Sequence, residues 1–202
     1  MSHSKRDHRK ATLPGAGNPG IAVAGADALV AYADTFLNHV PDDMREQGIF
    51  ATNNFGNTLG SATNLLLAIE LYLKALLLLH GRPAPHTHEL SDLFRALTDE
   101  LQKAVLIAYD NVRTIGPKDH DVIEILPDHG VTAESHPPIS DFTLLMVLRR
   151  NSNAYVHWRY AFESVQNLKT TRLRYEYVDL RRIAAALRQQ FGPVQIQPTR
   201  KP

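Results

Sequence analysis

Apolar positions recur with a helical period in five stretches of the chain. In GADALVAYADTFLNHV (25–40), Leu29, Val30, Ala33, Phe36, Leu37 and Val40 fall on one helix face, and Pro41 closes the pattern. A long helix is predicted from Asn57 or Thr58 to His80, with Gly81 and Pro83 as its stop. After the loop RPAPHTHEL, a third helix starts between Thr87 and Ser91. It carries Leu90, Leu93, Phe94, Leu97, Leu101, Ala104, Val105 and Ala108 on one side. A fourth runs from Ser140 or Asp141 to Glu163, and a last from Val178 to Phe191, ahead of Gly192 and Pro193. Residues 114–140 mix prolines and acids with no period and read as one long loop.

No strand pattern competes with these helices. The expected fold is all-α, an antiparallel bundle of four or five helices with one long loop. Residues 1–20 are basic, then Gly/Pro-rich, and read as a flexible basic arm. Residues 21–192 form the helical domain and 193–202 a C-terminal tail.

Composition narrows the function. At 202 residues, 44% hydrophobic and 21% charged, the chain suits one packed domain. It has no cysteine, which excludes disulfides, thiolate metal sites and a cysteine nucleophile. The longest apolar run, Leu65 to Leu79, is interrupted by Glu70 and Lys74 and is short for a bilayer. The start, MSHSKRDHRK, lacks an apolar secretory segment. A soluble, cytoplasmic protein with no membrane partner is expected.

Charge is uneven although the net is +1. Residues 149–202 hold 11 Lys and Arg against 3 Asp and Glu, and the rest of the chain is acidic. Such a quarter can meet phosphates. Arg159, Arg172 and Arg174 are candidate nucleic-acid contacts, with Lys169, Arg181, Arg182 and Arg188 beside them. Trp158, Tyr160, Phe162, Tyr175 and Tyr177 interleave them, which suits single-stranded RNA. Alternatively, the rings pack the bundle and the arginines face water.

The sharpest chemistry sits in RRNSNAYVHW (149–158), a polar insert in an otherwise apolar helix. Arg150 and His157 are seven residues apart, two turns, and point the same way, with Asn153 between them. Phe142, Met146, Tyr160 and Ala161 edge that face. Arg offers a permanently charged fork for a phosphate, and His exchanges a proton near neutral pH. The pair suits RNA cleavage by the RNA's own 2′-hydroxyl, with no metal needed. The alternative is a polar network in which Arg150 bridges to Glu70 or another carboxylate. Glu70 itself reads either as an inward support for Arg150 or His157, or as an ion pair with Lys74.

Other clusters weigh less. His80, His86 and His88 fit a loop and helix start better than a zinc site. His120, His129 and His136, near Asp119, Asp121 and Asp128, are irregularly spaced. No metal and no cofactor is expected.

RRNSNAYVH resembles the Arg-x(4–6)-His motif of HEPN domains, with Asn151 after the Arg and six residues before His157. AIELYLKALLLLHGRPAPHTHELSDLF resembles the paired helices of that family, so the resemblance covers roughly 57 to 190. It implies a small bundle that dimerises, bringing two motifs to one cleft. It further implies a metal-independent endoribonuclease of a toxin or phage-defence system, acting on RNA. Arg150 and His157 would be catalytic, Asn151 and Asn153 would position RNA, and Glu70 would support. The other function known in the family is a non-catalytic nucleotide- or partner-binding module. An antitoxin or nucleotidyltransferase partner belongs to the toxin setting. There the modified tyrosine lies two residues after the His, whereas here Tyr160 comes one residue later, so AMP transfer to it is not expected.

Overall fold

The computed structural model describes residues 18–38, 52–115, 123–125, 143–152 and 173–192. Among these residues the chain order is α1 (Pro19–Asn38), α2 (Thr52–Leu79), α3 (Leu90–Arg95), α4 (Asp99–Ile115), β1 (Ile123–Ile125), α5 (Leu144–Asn151), β2 (Leu173–Tyr175) and α6 (Tyr177–Arg188). The fold is an all-α bundle carrying one small ribbon.

Local signals explain several helix ends. Asn18 caps α1 by accepting the backbone N–H of Gly20 (2.9 Å) and Ile21 (3.3 Å), and Pro19 fills the first position. The helix therefore begins before the predicted Gly25 and takes the last residues of the predicted arm. The cap outranks the apolar period, which reports only where a helix is buried. At the end of α2, Gly81 takes φ 68°, while Arg82 N–H donates to Leu77 O (2.9 Å) and Gly81 N–H to Leu78 O (3.0 Å). A left-handed residue closing both bonds is cheap only for glycine.

The predicted third helix is two helices, α3 and α4. Thr98 breaks it: its Oγ accepts Leu101 N–H (3.4 Å) and its carbonyl accepts Gln102 N–H (2.9 Å). Asp99 and Glu100 follow in the first turn of α4. Gln102 Nε2 then donates to the end carbonyls of α3, Arg95 O (3.2 Å) and Leu97 O (3.0 Å). The apolar period continued across the break, so periodicity alone concealed it. Of the predicted fourth helix, the part beyond Ser152 lies outside the described residues.

The ribbon corrects the expectation of no strands. β1 pairs antiparallel with β2 in the register Ile123↔Tyr175, Glu124↔Arg174, Ile125↔Leu173. Three-residue strands with partners some 50 positions away leave no local period to read. The ribbon ties part of the predicted long loop to the segment that enters α6.

α2 is the centre of the bundle. Leu65, Leu66, Ile69, Leu73, Leu76 and Leu77 are buried along it, which explains why it is apolar nearly all round. By length and composition Gly56–Leu79 passes for a membrane span, but most of that stretch is buried inside the bundle. α1 runs antiparallel to α2: Gly25 faces Leu71 and Gly60 faces Phe36. A Cβ on Gly60 would come within 3.1 Å of the Phe36 ring, so the crossing is close. α6 brings Leu180, Ile183, Ala184 and Leu187, α3 brings Leu90, Leu93 and Phe94, and α5 brings Leu144, Val147 and Leu148.

Charged pairs join α1 to α6. Asp27 accepts the Tyr72 hydroxyl and pairs with Arg188 Nε (2.8 Å). Seven residues on, Asp34 accepts the Tyr177 hydroxyl (2.9 Å) and pairs with Arg181 Nε (2.8 Å). Two-turn spacing on both helices makes this an antiparallel zipper. Inside the bundle, Asp179 accepts the Tyr109 hydroxyl (3.0 Å) and Arg182 Nη1 (3.1 Å).

Candidate functional site

α5 ends on the polar insert, and Arg150, Asn151 and Ser152 are bound into the bundle. Arg150 grips Glu176 with two parallel bonds, Nε to Oε1 at 2.8 Å and Nη2 to Oε2 at 2.7 Å. The arginine side chain is 26% exposed and the carboxylate 2%. Asn151, also buried, donates its amide to Val147 O (2.9 Å) and to Glu176 Oε1 (3.2 Å). Ser152 Oγ donates to Leu148 O (2.8 Å) and accepts Ser91 N–H (3.2 Å), satisfying a donor at the start of α3. A core helix carries Arg, Asn and Ser here because each has a partner that an apolar residue would strand.

Glu176 joins β2 to α6, and its neighbours clamp it. The Tyr175 hydroxyl meets Ser61 Oγ on α2 at 3.0 Å, and the Tyr177 hydroxyl binds Asp34 on α1 at 2.9 Å. The two rings meet edge-on with centroids 5.9 Å apart. Burial pushes both phenols above their ordinary range, so both stay neutral. Glu176 sits at the start of α6 yet makes no capping bond there. Its carboxylate is turned to Arg150 instead.

A comparison with protein families places this segment. The model of the HEPN domain matches residues 54–178, which span α2 to the first turn of α6. The chain belongs to the HEPN domain family. No curated protein and no solved structure matches it. Membership points in general terms to a nuclease or RNA-binding role, and HEPN domains often bind RNA and dimerise.

Within this HEPN domain Glu70 does not supply the carboxylate that binds Arg150, and its expected support of His157 lies outside the described residues. Its buried carboxylate accepts Lys74 Nζ (2.7 Å) and lies 3.0–3.1 Å from His88 Nδ1. It faces the loop ahead of α3, and the carboxylate that meets Arg150 is Glu176. Sequence reasoning missed Glu176 because 26 positions separate it from Arg150 and no helical spacing links them. Its flanking tyrosines are the available signal, and of their two readings, base stacking or packing of the bundle, Tyr175 takes the second. Tyr175 is wholly buried and cannot stack on a base.

The basic patch shrinks for the same reason. Arg181, Arg182 and Arg188 are paired with Asp34, Asp179 and Asp27. Arg174 stands on β2, in register with Glu124. His157, Asn153, Arg159 and Arg172 lie outside the described residues, as do Tyr160, His120, His129 and His136. Among the described residues, no group of three His, Asp or Glu is arranged to hold a metal ion.

Proposed function

We propose that this HEPN domain is a metal-independent endoribonuclease in which Arg150 and His157 form the chemical pair. His157 takes the proton of the RNA 2′-hydroxyl as the 2′-oxygen attacks phosphorus. The bond to the 5′-oxygen breaks, that oxygen takes a proton from water and leaves as a hydroxyl, and the product end is a 2′,3′-cyclic phosphate. Arg150 offsets the charge that builds on the phosphorane oxygens. Asn153 would contact RNA, whereas buried Asn151 acts through Glu176. Arg159, Arg172 and Arg174 would hold flanking phosphates. A cytoplasmic homodimer, acting as a toxin or defence nuclease opposed by an antitoxin or nucleotidyltransferase partner, is the setting that fits.

The observation carrying this reading is the half-buried Arg150, held by a buried carboxylate in a segment of the family match. Charge fixed in one orientation before substrate arrives is what transition-state stabilisation requires. The same pair favours one other reading. Glu176 offsets much of the charge on Arg150, which suits a binding module that recognises a nucleotide or a protein without cutting.

Incubation of end-labelled RNA in EDTA separates them. Wild type should cut and leave cyclic phosphate ends, and folded His157→Ala should lose about 10²–10⁴-fold. Arg150→Ala should lose a similar amount, and Glu70→Gln, if its carboxylate supports His157, should lower the rate while the fold stays intact. Absence of cutting by wild type across RNA types and pH would move the conclusion to the binding module.

A further inference from the structure

We propose that Glu176 is a positioning residue of this site, holding the plane of the Arg150 guanidinium, with Asn151 holding the carboxylate in turn. The proposal rests on the ribonuclease reading and extends it to a residue outside the Arg–His stretch. An ordinary surface ion pair constrains little, because one long side chain swings about a single contact. Here two parallel bonds of 2.8 and 2.7 Å tie Nε and Nη2 to both carboxylate oxygens, so rotation about the guanidinium bonds breaks at least one. Asn151 adds a bond of 3.2 Å to Oε1, and its own amide is held by Val147 O.

The backbone of Glu176 is fixed as firmly. Tyr175 on one side is anchored to Ser61 of α2, and Tyr177 on the other to Asp34 of α1. β2, which ends at Tyr175, is paired to β1. Elements from both ends of the chain thus converge on one carboxylate, while the start of α6 goes without a side-chain cap. Positioning has a consequence that neutral packing lacks. The carboxylate opposes an incoming phosphate, so Glu176 weakens RNA binding while it aligns Arg150 for the reaction. Misplacement of a reacting group by about 1 Å can cost ~10²-fold in rate.

Glu176→Asp tests this. It keeps the charge, but with the backbone clamped the shorter side chain cannot span both guanidinium nitrogens. Single-turnover cleavage in EDTA, the Kd for a non-cleaved 2′-deoxy analogue and the thermal midpoint would be measured together. The expected result is a cleavage rate down about tenfold or more, with a Kd equal to or tighter than wild type and a folded protein. An unchanged rate, or a rate that falls only with the folded fraction, would overturn the proposal. If wild type does not cut RNA, the ribonuclease reading fails separately. The positioning claim is then read from arginine side-chain NMR. Slow rotation about the Nε–Cζ bond of Arg150 in wild type and fast rotation in Glu176→Asp would support it. Equal rotation in the two proteins would sink it.

Discussion

Asp179→Ala is expected to destabilise the fold by about 3–5 kcal/mol, the usual cost of breaking a buried ion pair from one side. For a chain of this length that corresponds to a thermal midpoint roughly 6–20 °C lower. Asp179 is 1% exposed and Arg182 is 5%, and the aspartate accepts both Arg182 Nη1 and the Tyr109 hydroxyl. The alanine variant takes a partner from a guanidinium and a phenol that folding has already removed from water. It also removes an acid from the first turn of α6, where the helix dipole favours one. Replacing Arg182 as well, by Leu, should recover part of the loss, because the buried guanidinium that lost the Asp179 carboxylate is then gone too. Denaturant melts of the single and double variants would show it. A single-variant loss below about 1 kcal/mol, as for an exposed pair, would contradict the account.

Alkaline pH should unfold the protein steeply. Tyr72, Tyr109 and Tyr175 are buried, and burial pushes each phenol well above its usual range; Asp27 and Asp179 push the first two further. In the unfolded chain these phenols lose their protons near pH 10. Stability from all three is therefore complete below about pH 10 and falls as pH rises above it. Each contributes a slope of about 1.4 kcal/mol per pH unit, so together about 4 kcal/mol per unit. A domain at the low end of the ordinary range, about 5 kcal/mol, would unfold between pH 11 and 12. Tyrosinate absorbance should then rise together with loss of helix in circular dichroism. Tyr175→Phe should make the slope about a third shallower. Titration of these phenols near pH 10 with the helices intact would rule the explanation out.

The Arg–Asn–Ser stretch shows how far sequence reasoning reaches. That 149–152 interrupts an apolar helix is visible from the residues, and the need for partners follows from burial cost. The choice between a carboxylate at 70 and one at 176 is not. Both are acids near apolar segments, and only the packing of α5 on α6 puts one of them within 3 Å of Arg150. The basic quarter tells the same story. Counting charges predicts a patch, but Arg181 and Arg188 are seven apart and meet Asp27 and Asp34, also seven apart, on a helix at the other end of the chain.

What the sequence determined by itself is local: the helical periods, the stop at Gly81, and the polar interruption of an apolar helix at Arg150. Those features depend on residues within about one turn of each other, so they can be read from spacing. The tertiary structure alone decided which charges are neutralised, where Tyr175 is buried, that residues 123–125 pair with 173–175, and that Glu176 meets Arg150. Apart from Asp179 and Arg182, three residues apart on α6, those partners lie from 26 to more than 100 positions apart, and their pairing is set by how the apolar faces pack rather than by any period along the chain.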